Sequence, residues 1–385
     1  MEKITKYGTL FYMRDLRILI VVDNFRIGGI QRLALDQLCM LSDLNIPSEA
    51  HYRQSRATAE NPNFLTLETK RISEKSLKIQ SMPDSRFSQI VHMSRLLRSQ
   101  RFNVVINLSV GATIILRIAK FFAFSTTQIH TIIQQLPSLS APLQRWKRFV
   151  YAAFSNHLYC YSHAVVQDWN NRLSKNLLSR FTLGLRRPSV LRNGVYLGRL
   201  PIVVQNEVTK IKTNRMVFIG RNVSWKNPEL IVSLLRAKKN HDLTALIVVP
   251  SISQIYIDKL RSEFGSRIQF EIGKRIEDIV FKEGDINVYP VNYGPQAPFI
   301  ESISINCLEM ACLGIPSLIT KSGSETWPEL VEMGLLYEVD WNNLESLDSA
   351  LERAKSLVPD ETLVNRAQKL ISIENNLRSI IQHKD

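Results

Sequence analysis

The feature that most constrains this chain is a strand–helix alternation that runs through most of it and breaks once. "RILIVVD" (17–23) precedes a helical pattern from Ile30 to Leu44, and "FNVVINL" (102–108) precedes "GATIILRIAKFFAF". "TTQIHTII" (126–133) precedes "PLQRWKRFVYAAF", and "HLYCYS" (157–162) precedes "AVVQDWNNRL". Short apolar runs separated by helical patterns predict parallel strands covered on both faces by the helices that connect them. The rhythm stops in "SVLRNGVYLGRLPIVVQNEVTKIKTN", where Asn193-Gly194 reads as a turn, Pro201 interrupts and periodicity fades. It resumes with "RMVFIG" (215–220), "TALIVV" (244–249), "RIQFEI" (267–272), "INVYP" (286–290), "IPSLIT" (315–320) and "LLYEV" (335–339). The tail carries apolar residues at 363, 367, 370, 371, 377, 380 and 381, which is helical spacing. The predicted fold class is α/β, with two Rossmann-like domains facing a cleft. The first spans 1–195, a linker spans 196–213, the second domain spans 214–360, and a terminal helix spans 361–385. Ligands of open α/β sheets bind at the C-terminal edges of the strands.

With 385 residues, 45% hydrophobic and 22% charged, the chain can build large cores without a disulfide or metal staple. Cys39, Cys160, Cys307 and Cys312 form no C-x-x-C pair and sit in apolar contexts. They read as reduced, buried thiols, and no Cys/His cluster has zinc-ligand spacing. The first residues do not read as a signal peptide, because Arg14, Asp15 and Arg17 interrupt the apolar region. No uncharged run reaches membrane-spanning length: Val104 to Phe124 contains Asn107, Arg117 and Lys120. A cytoplasmic protein, peripheral at most, is expected.

The formal net charge is +14, which suits an anionic partner such as nucleic acid, a membrane surface or phosphorylated substrates. From Arg145 to Arg192 there are nine Lys/Arg against one acid, Asp168. That excess is either a solvated face or a functional surface. The basic, aromatic stretch 142–154 is likewise either a domain helix with a basic outer face or a segment that rests on anionic lipid.

Three motifs bear chemistry. In "DNFRIGGIQRLALDQL", a strand ends at Asp23 and Gly28-Gly29 opens a helix. Paired glycines let backbone N–H groups approach an anion at a helix N-terminus, or simply form a tight turn. The motif is not G-x-G-x-x-G, so a nicotinamide fingerprint is absent. In "FIGRNVSWKNPEL", Arg221 follows a strand and Lys226 starts the next helix. Two cations at such a turn clamp a diphosphate or stand as loop charges. In "ESISINCLEMACLGIPSLI", Glu301 precedes a helix and Glu309 lies eight positions on. At about 100° per residue the two acids border one side of that helix, roughly 80° apart. Glu309 stands among Ile305, Cys307, Leu308 and Met310. A carboxylate in that company needs donors: sugar or ribose hydroxyls, or a buried cation in a structural pair.

In this order, with Asn193-Gly194 between them, the motifs resemble the family-four glycosyltransferases of GT-B fold. The likeness covers roughly residues 15 to 385. "GGIQR" is similar to that family's first-domain glycine loop, and "LRNGVYLGRL" to its NGV segment. "FIGRNVSWKNPE" resembles its Arg…Lys phosphate motif, and "ESISINCLEMACLGIP" fits its E-x7-E motif without a gap. "SGSETWPELVEMG" resembles the Gly…Pro-Glu segment that follows.

The resemblance implies roles. Gly28 and Gly29 lie near the donor phosphates and the acceptor. Arg221 and Lys226 neutralise the diphosphate leaving group. Glu301 contacts the donor sugar, and Glu309 accepts from the ribose hydroxyls. Ser302, Ser304 and Asn306 add donors to the phosphates. His130 occupies a place where related enzymes carry a histidine facing the donor sugar, near the end of a strand; a satisfied core histidine is the other reading. The resemblance also implies that the last helix crosses back to the first domain. Two departures stand out: Ser304 replaces a glycine usual in the motif, and "YPVNYGPQAPFI" before Glu301 is longer and richer in proline.

The implied activity is transfer of a sugar, with retention, from a nucleotide-sugar to a lipid-linked or polysaccharide acceptor. Synthesis of a cell-surface glycan such as lipopolysaccharide, capsule or exopolysaccharide is the expected setting. The enzyme is expected to need no cofactor and no metal, the nucleotide-sugar being a co-substrate. A nucleotide-sugar epimerase or a non-catalytic scaffold would keep the same fold. A nucleic-acid binder would share only the charge, and no nucleic acid is expected as a partner, because the basic residues lie in an α/β pattern without the aromatic-basic motifs of an RNA-binding module.

Overall fold

The structure, a computed structural model, describes residues 16–23, 29–53, 65, 68–109, 111–133, 135–137, 154–163, 166–167, 170, 188–200, 214–220, 226–236, 242–290, 299–301 and 303–382. The chain divides into two compact units, Met1–Tyr196 with Ile373–Asp385, and Leu197–Ser372.

The first unit holds β1 (Ile18–Val22), α1 (Gly29–Asp43), β2 (Ser48–Arg53), α2 (Thr69–Glu74), β3 (Lys78–Met82), α3 (Arg86–Gln100), β4 (Val104–Asn107) and α4 (Ala112–Phe122). There follow β5 (Gln128–Ile133), a short β6 (Gln135–Pro137), β7 (His157–Cys160) and β8 (Ser189–Val190). Seven of these strands form one sheet in the order β3-β2-β1-β4-β5-β7-β8, every neighbouring pair parallel. All five residues of β1 are buried, as a central parallel strand requires. Leu19 and Val21 pack with Val105, Met93, Leu97, Ile115 and Leu116 in a cluster built on α3 and α4.

The second unit holds β9 (Arg215–Ile219), α5 (Glu229–Arg236), β10 (Thr244–Val249), α6 (Gln254–Phe264), β11 (Ile268–Ile272), β12 (Asp285–Val288), β13 (Phe299–Glu301) and α7 (Ile305–Cys312). β14 (Ser317–Ile319), α8 (Lys321–Thr326), α9 (Pro328–Glu332), β15 (Leu336–Glu338), α10 (Leu344–Lys355) and α11 (Glu361–Ile371) complete it. Its sheet is six-stranded, in the order β11-β10-β9-β12-β14-β15. Alternate residues of β9 serve different cores: Met216 and Phe218 pack with residues of α5, α6 and α10, while Val217 and Ile219 pack with Met310 of α7. Helices therefore cover both faces of this sheet, the doubly wound arrangement. The register of β9 and β12 pairs Arg215 with Asp285. Those side chains form a buried two-bond pair, Nε to Oδ1 at 2.8 Å and Nη2 to Oδ2 at 2.6 Å. Shifting that register would strand both charges.

Most expected strands are present, shortened by a residue or two at their ends. β2 and β3 are additional to the expectation. β2 reads "SEAHYR" and β3 "KIQSM", with no apolar run to announce them; β2 carries the buried polar residues Glu49 and His51, and β3 is a largely exposed edge. The tail is two helices rather than one: α11, and then α12 (Ile373–Gln382), which belongs to the first unit. Ser372 breaks them by turning extended, φ −49° and ψ 131°, with no proline or glycine to signal the break. Asn193-Gly194 makes no turn. Ile373 N–H donates to Val195 carbonyl at 3.0 Å, and a Cβ on Gly194 would lie 2.4 Å from Ile373 Cα. The glycine is there for close backbone approach. Among the described residues no helix is long and apolar enough to cross a membrane.

Candidate functional site

In each sheet the chain reverses its direction of winding at one place: between β1 and β4 in the first unit, and between β9 and β12 in the second. The crevice beyond the C-terminal ends of such a strand pair is where α/β sheets hold ligands.

In the second unit, β9 ends at Ile219 and β12 is followed by Tyr289. Lys226 is 8% exposed, and its Nζ donates to the Tyr289 hydroxyl at 2.9 Å. A Cβ on Gly220 would lie 3.4 Å from Lys226 Cδ, so the lysine stem lies against the end of β9. The N-terminus of α7 arrives at the same place. Ser304 caps it, its Oγ accepting from Asn306 N–H at 3.3 Å. The Asn306 side-chain amide donates to the Ile219 carbonyl at 2.6 Å, tying the E-x7-E helix to the strand that precedes Arg221. Lys226, Tyr289, Ser304 and Asn306 thus converge on one strand-end crevice, with a cation and a helix N-terminus, both suited to an anion.

Glu309 lies about one turn further along α7 and is fully buried. Arg199 Nη2 donates to Glu309 Oε1, and Arg199 Nη1 stands 3.5 Å from Glu277 Oε1. Arg199 sits on a single 3-10 turn, Leu197–Arg199, at the start of the second unit. Of the two partners left open for Glu309, the structure supplies the buried cation. Arg199 was within reach of sequence reasoning: it lies in "LRNGVYLGRL", and a glutamate amid Cys307, Leu308 and Met310 demands a donor.

The remaining candidates fall as follows. Glu301 is the last residue of β13, directly before α7. Gly29 is the exposed first residue of α1. Gly28, Arg221 and Ser302 lie outside the described residues, as does the basic stretch 142–153. His130 is 1% exposed and third of the six residues of β5, in mid-strand rather than near its end. It stacks on His157 at 4.5 Å between ring centroids, and its Nδ1 is 3.3 Å from the Tyr159 hydroxyl. Parallel pairing of β5 with β7 sets His130 directly opposite His157, which places it in the core. In the segment after α7, a Cβ on Gly323 would meet Ile319 Cδ1 at 2.9 Å and Ile303 Cβ at 3.6 Å. Glycine there lets α8 close on the E-x7-E segment.

A polar group that the sequence did not announce occupies the first unit's own reversal point. Asp23, just past β1, accepts from Arg53 Nη2 and, at 2.5 Å, from Ser109 Oγ. Ser109 lies just past β4, and its N–H donates to the buried Asn107 side chain at 3.1 Å. Asn107 in turn donates to Thr113 at 3.0 Å and Thr131 at 3.2 Å. Asp23 and Arg53 are each 35% exposed, so the group's outer end is open to a ligand.

The four cysteines are free and buried. Burial pushes the Cys39 thiol up to about 11 and those of Cys307 and Cys312 to about 12, and raises Cys160 as well. None is a nucleophile in the native state.

No family model matches the chain, and no curated protein matches it. Solved structures do. A glycosyltransferase from Rickettsia africae matches with a TM-score of 0.68 at 13% identity, over 96% of this chain and 100% of that one. HepE from Anabaena, in complex with UDP and glucose, matches with a TM-score of 0.64 at 13% identity, over 95% of this chain and 98% of that one. The lipopolysaccharide outer core galactosyltransferase WaaB, in its apo form, matches with a TM-score of 0.61 at 13% identity, over 95% and 99%. The class these findings define is a fold: the chain has the GT-B fold of these glycosyltransferases along nearly its whole length.

Proposed function

We propose that this protein is a glycosyltransferase that moves a sugar from a nucleotide-sugar to a lipid-linked or polysaccharide acceptor. The observation that carries the reading is the convergence of Lys226, Tyr289, Ser304 and Asn306 at the reversal point of the second sheet, with the E-x7-E segment in register. The main electrostatic task of such a transfer is to stabilise charge on the departing diphosphate. Lys226 and the N-terminus of α7 supply that stabilisation, and Arg221 is the second cation that the motif implies. Glu301, ahead of the same helix in sequence, is assigned to the sugar end, where a carboxylate supports positive charge at the anomeric centre. Retention of configuration follows from the family that the motifs resemble.

For Glu309, full burial and the Arg199 bond favour a structural task over direct contact with ribose. The pair fixes α7, and through α7 it fixes Ser304 and Asn306. His130 likewise packs rather than reacts. On the acceptor side, Asp23, Arg53 and Ser109 stand where the first sheet would hold a hydroxyl-bearing ligand, at the end of β1. WaaB is described as a lipopolysaccharide outer core galactosyltransferase. An acceptor of that class, in cell-surface glycan synthesis at the cytoplasmic face of a membrane, is the setting we assign.

The test is transfer from a panel of UDP-, GDP- and ADP-sugars, with product analysis, on the wild type and on Glu301→Gln and Lys226→Met. Each variant is expected to lose transfer by about a hundredfold or more while keeping its circular dichroism. Near-normal turnover in both variants would overturn the site assignment. Free sugar isomers in place of a glycoside would overturn the reaction.

A further inference from the structure

The first unit carries an exposed aromatic group that the donor and acceptor sites do not use. At the end of α4, Phe121 is 72% exposed, Phe122 61% and, just beyond the helix, Phe124 90%. Earlier in α4, Ile115, Leu116 and Ala119 are buried against α3 and the sheet. The three phenylalanines therefore form no part of the core. Phe121 and Phe122 meet edge to face at 5.7 Å, so they present one continuous apolar tip. A patch of adjacent, largely exposed large apolar side chains marks an interaction surface, whereas a single such residue does not.

The tip lies among cations. α3 and α4 both end at the edge of the sheet where β4 and β5 begin. The loops after them are joined there: Thr127 Oγ1 donates to Phe102 carbonyl at 2.6 Å, and Gln128 N–H donates to Asn103 carbonyl at 2.8 Å. Arg17 N–H donates to Asn103 Oδ1 at 2.7 Å, which brings Arg17 to the same edge. Exposed Arg17 and Arg101 lie at this same edge, and half-buried Lys120 is in the last turn of α4, next to Phe121. From Ser85 to Gln167 the chain contains nine Lys/Arg and no Asp or Glu. An 83-residue stretch without an acid gives this part of the sequence one sign of charge. The opposite edge of that sheet carries Asp23 and Ser109, so the tip and the acceptor group stand at different ends of this unit.

We propose that this edge docks on an anionic lipid membrane. Phe121, Phe122 and Phe124 enter the boundary between headgroups and acyl chains, and Arg17, Arg101 and Lys120 meet the headgroup phosphates. Phenylalanine supplies apolar area and no hydrogen-bond donor, which suits a lipid interface. A second copy of the chain is disfavoured as occupant, because an isologous contact would bring the same cations face to face. The proposal does not depend on the donor chemistry.

The test is co-flotation of the full chain with vesicles of phosphatidylglycerol and phosphatidylcholine, against vesicles of phosphatidylcholine alone. Two variants accompany the wild type: F121S/F122S/F124S and R17Q/R101Q. The substituted side chains are exposed, so both should retain the wild-type melting temperature and nucleotide binding. The wild type is expected to bind the anionic vesicles, less at high salt. The aromatic variant should bind at least about tenfold more weakly, and the charge variant should lose its preference for anionic lipid. Equal binding by wild type and aromatic variant would overturn the proposal, as would no wild-type binding at low salt. Two further outcomes would also overturn it: a concentration-dependent dimer abolished by F121S/F122S/F124S, and retention on duplex DNA without vesicle binding. A chain that binds vesicles as described but transfers no sugar would keep this proposal and sink the donor-site reading.

Discussion

Arg199→Met removes the cation from the most buried carboxylate of the proposed site while keeping a side chain of similar length. The Arg199 side chain is 3% exposed and that of Glu309 0%, so solvent screens little of their interaction. With the arginine gone, the fully buried Glu309 loses the guanidinium that its Oε1 accepts from, and Glu277, an acceptor itself, cannot replace that donor. Breaking a buried pair from one side costs about 3–5 kcal/mol, mostly the penalty of the stranded charge. For a unit of this size that corresponds to a fall in melting temperature on the order of 10 °C. The double variant R199M/E309M removes both buried charges and leaves only Glu277, which is 19% exposed, so it should recover at least about half of that loss. The assay is urea unfolding of wild type, both single variants and the double variant, followed by circular dichroism, with nucleotide affinity measured on the folded fraction. Affinity should fall in R199M as well, because α7 positions Ser304 and Asn306. If R199M unfolds within about 1 kcal/mol of wild type, or the double variant shows the sum of the single losses, the pair does not anchor the helix.

Other predictions follow from single contacts. Gly194→Ala would place a Cβ 2.4 Å from Ile373 Cα; since backbone must move, a loss of about 1–3 kcal/mol in thermal unfolding is expected. Asp360→Ala removes the N-cap of α11, whose Oδ1 accepts from Leu363 N–H at 2.6 Å, and should cost about 1 kcal/mol in the same measurement. Asp23→Ala releases Arg53 and Ser109; it should raise KM for the acceptor and leave nucleotide affinity unchanged, a split that steady-state kinetics resolves. Native protein should resist alkylation by iodoacetamide at neutral pH, because burial raises all four thiols; rapid labelling would contradict that account.

The fold was legible where burial is two-sided. β1, β9 and β10 are continuous apolar runs, and such runs followed by helical patterns have few other outcomes. β2 escaped because its buried members include Glu49 and His51, whose Nε2 and Oε1 satisfy each other at 3.0 Å. Polar residues at two buried positions of one short strand remove the apolar run by which a strand is recognised. The break at Ser372 was hidden because its cause is the seating of Ile373 against Gly194. At the candidate site, Lys226 and the helix that carries Glu309 could be placed from the sequence, because each follows closely on the end of a strand. What spacing could not supply was the third partner. Tyr289 reaches Lys226 across 63 positions of sequence, and only the folded sheet brings the two together, whereas Arg199 could be sought because a glutamate in apolar company demands a donor. His130 shows the converse: its sequence neighbourhood resembled a family position near a strand end, yet the structure sets it in mid-strand, buried and stacked on His157.

The central claim is that the crevice at the reversal point of the second sheet binds a nucleoside diphosphate through Lys226. Isothermal titration of UDP, GDP and ADP into wild type and Lys226→Met tests it most directly. One of the three should bind wild type, and should bind the variant at least about tenfold more weakly, the effect of deleting one charge-assisted contact to phosphate. If none binds the folded wild type, or if the variant binds as tightly, the crevice is not the donor site.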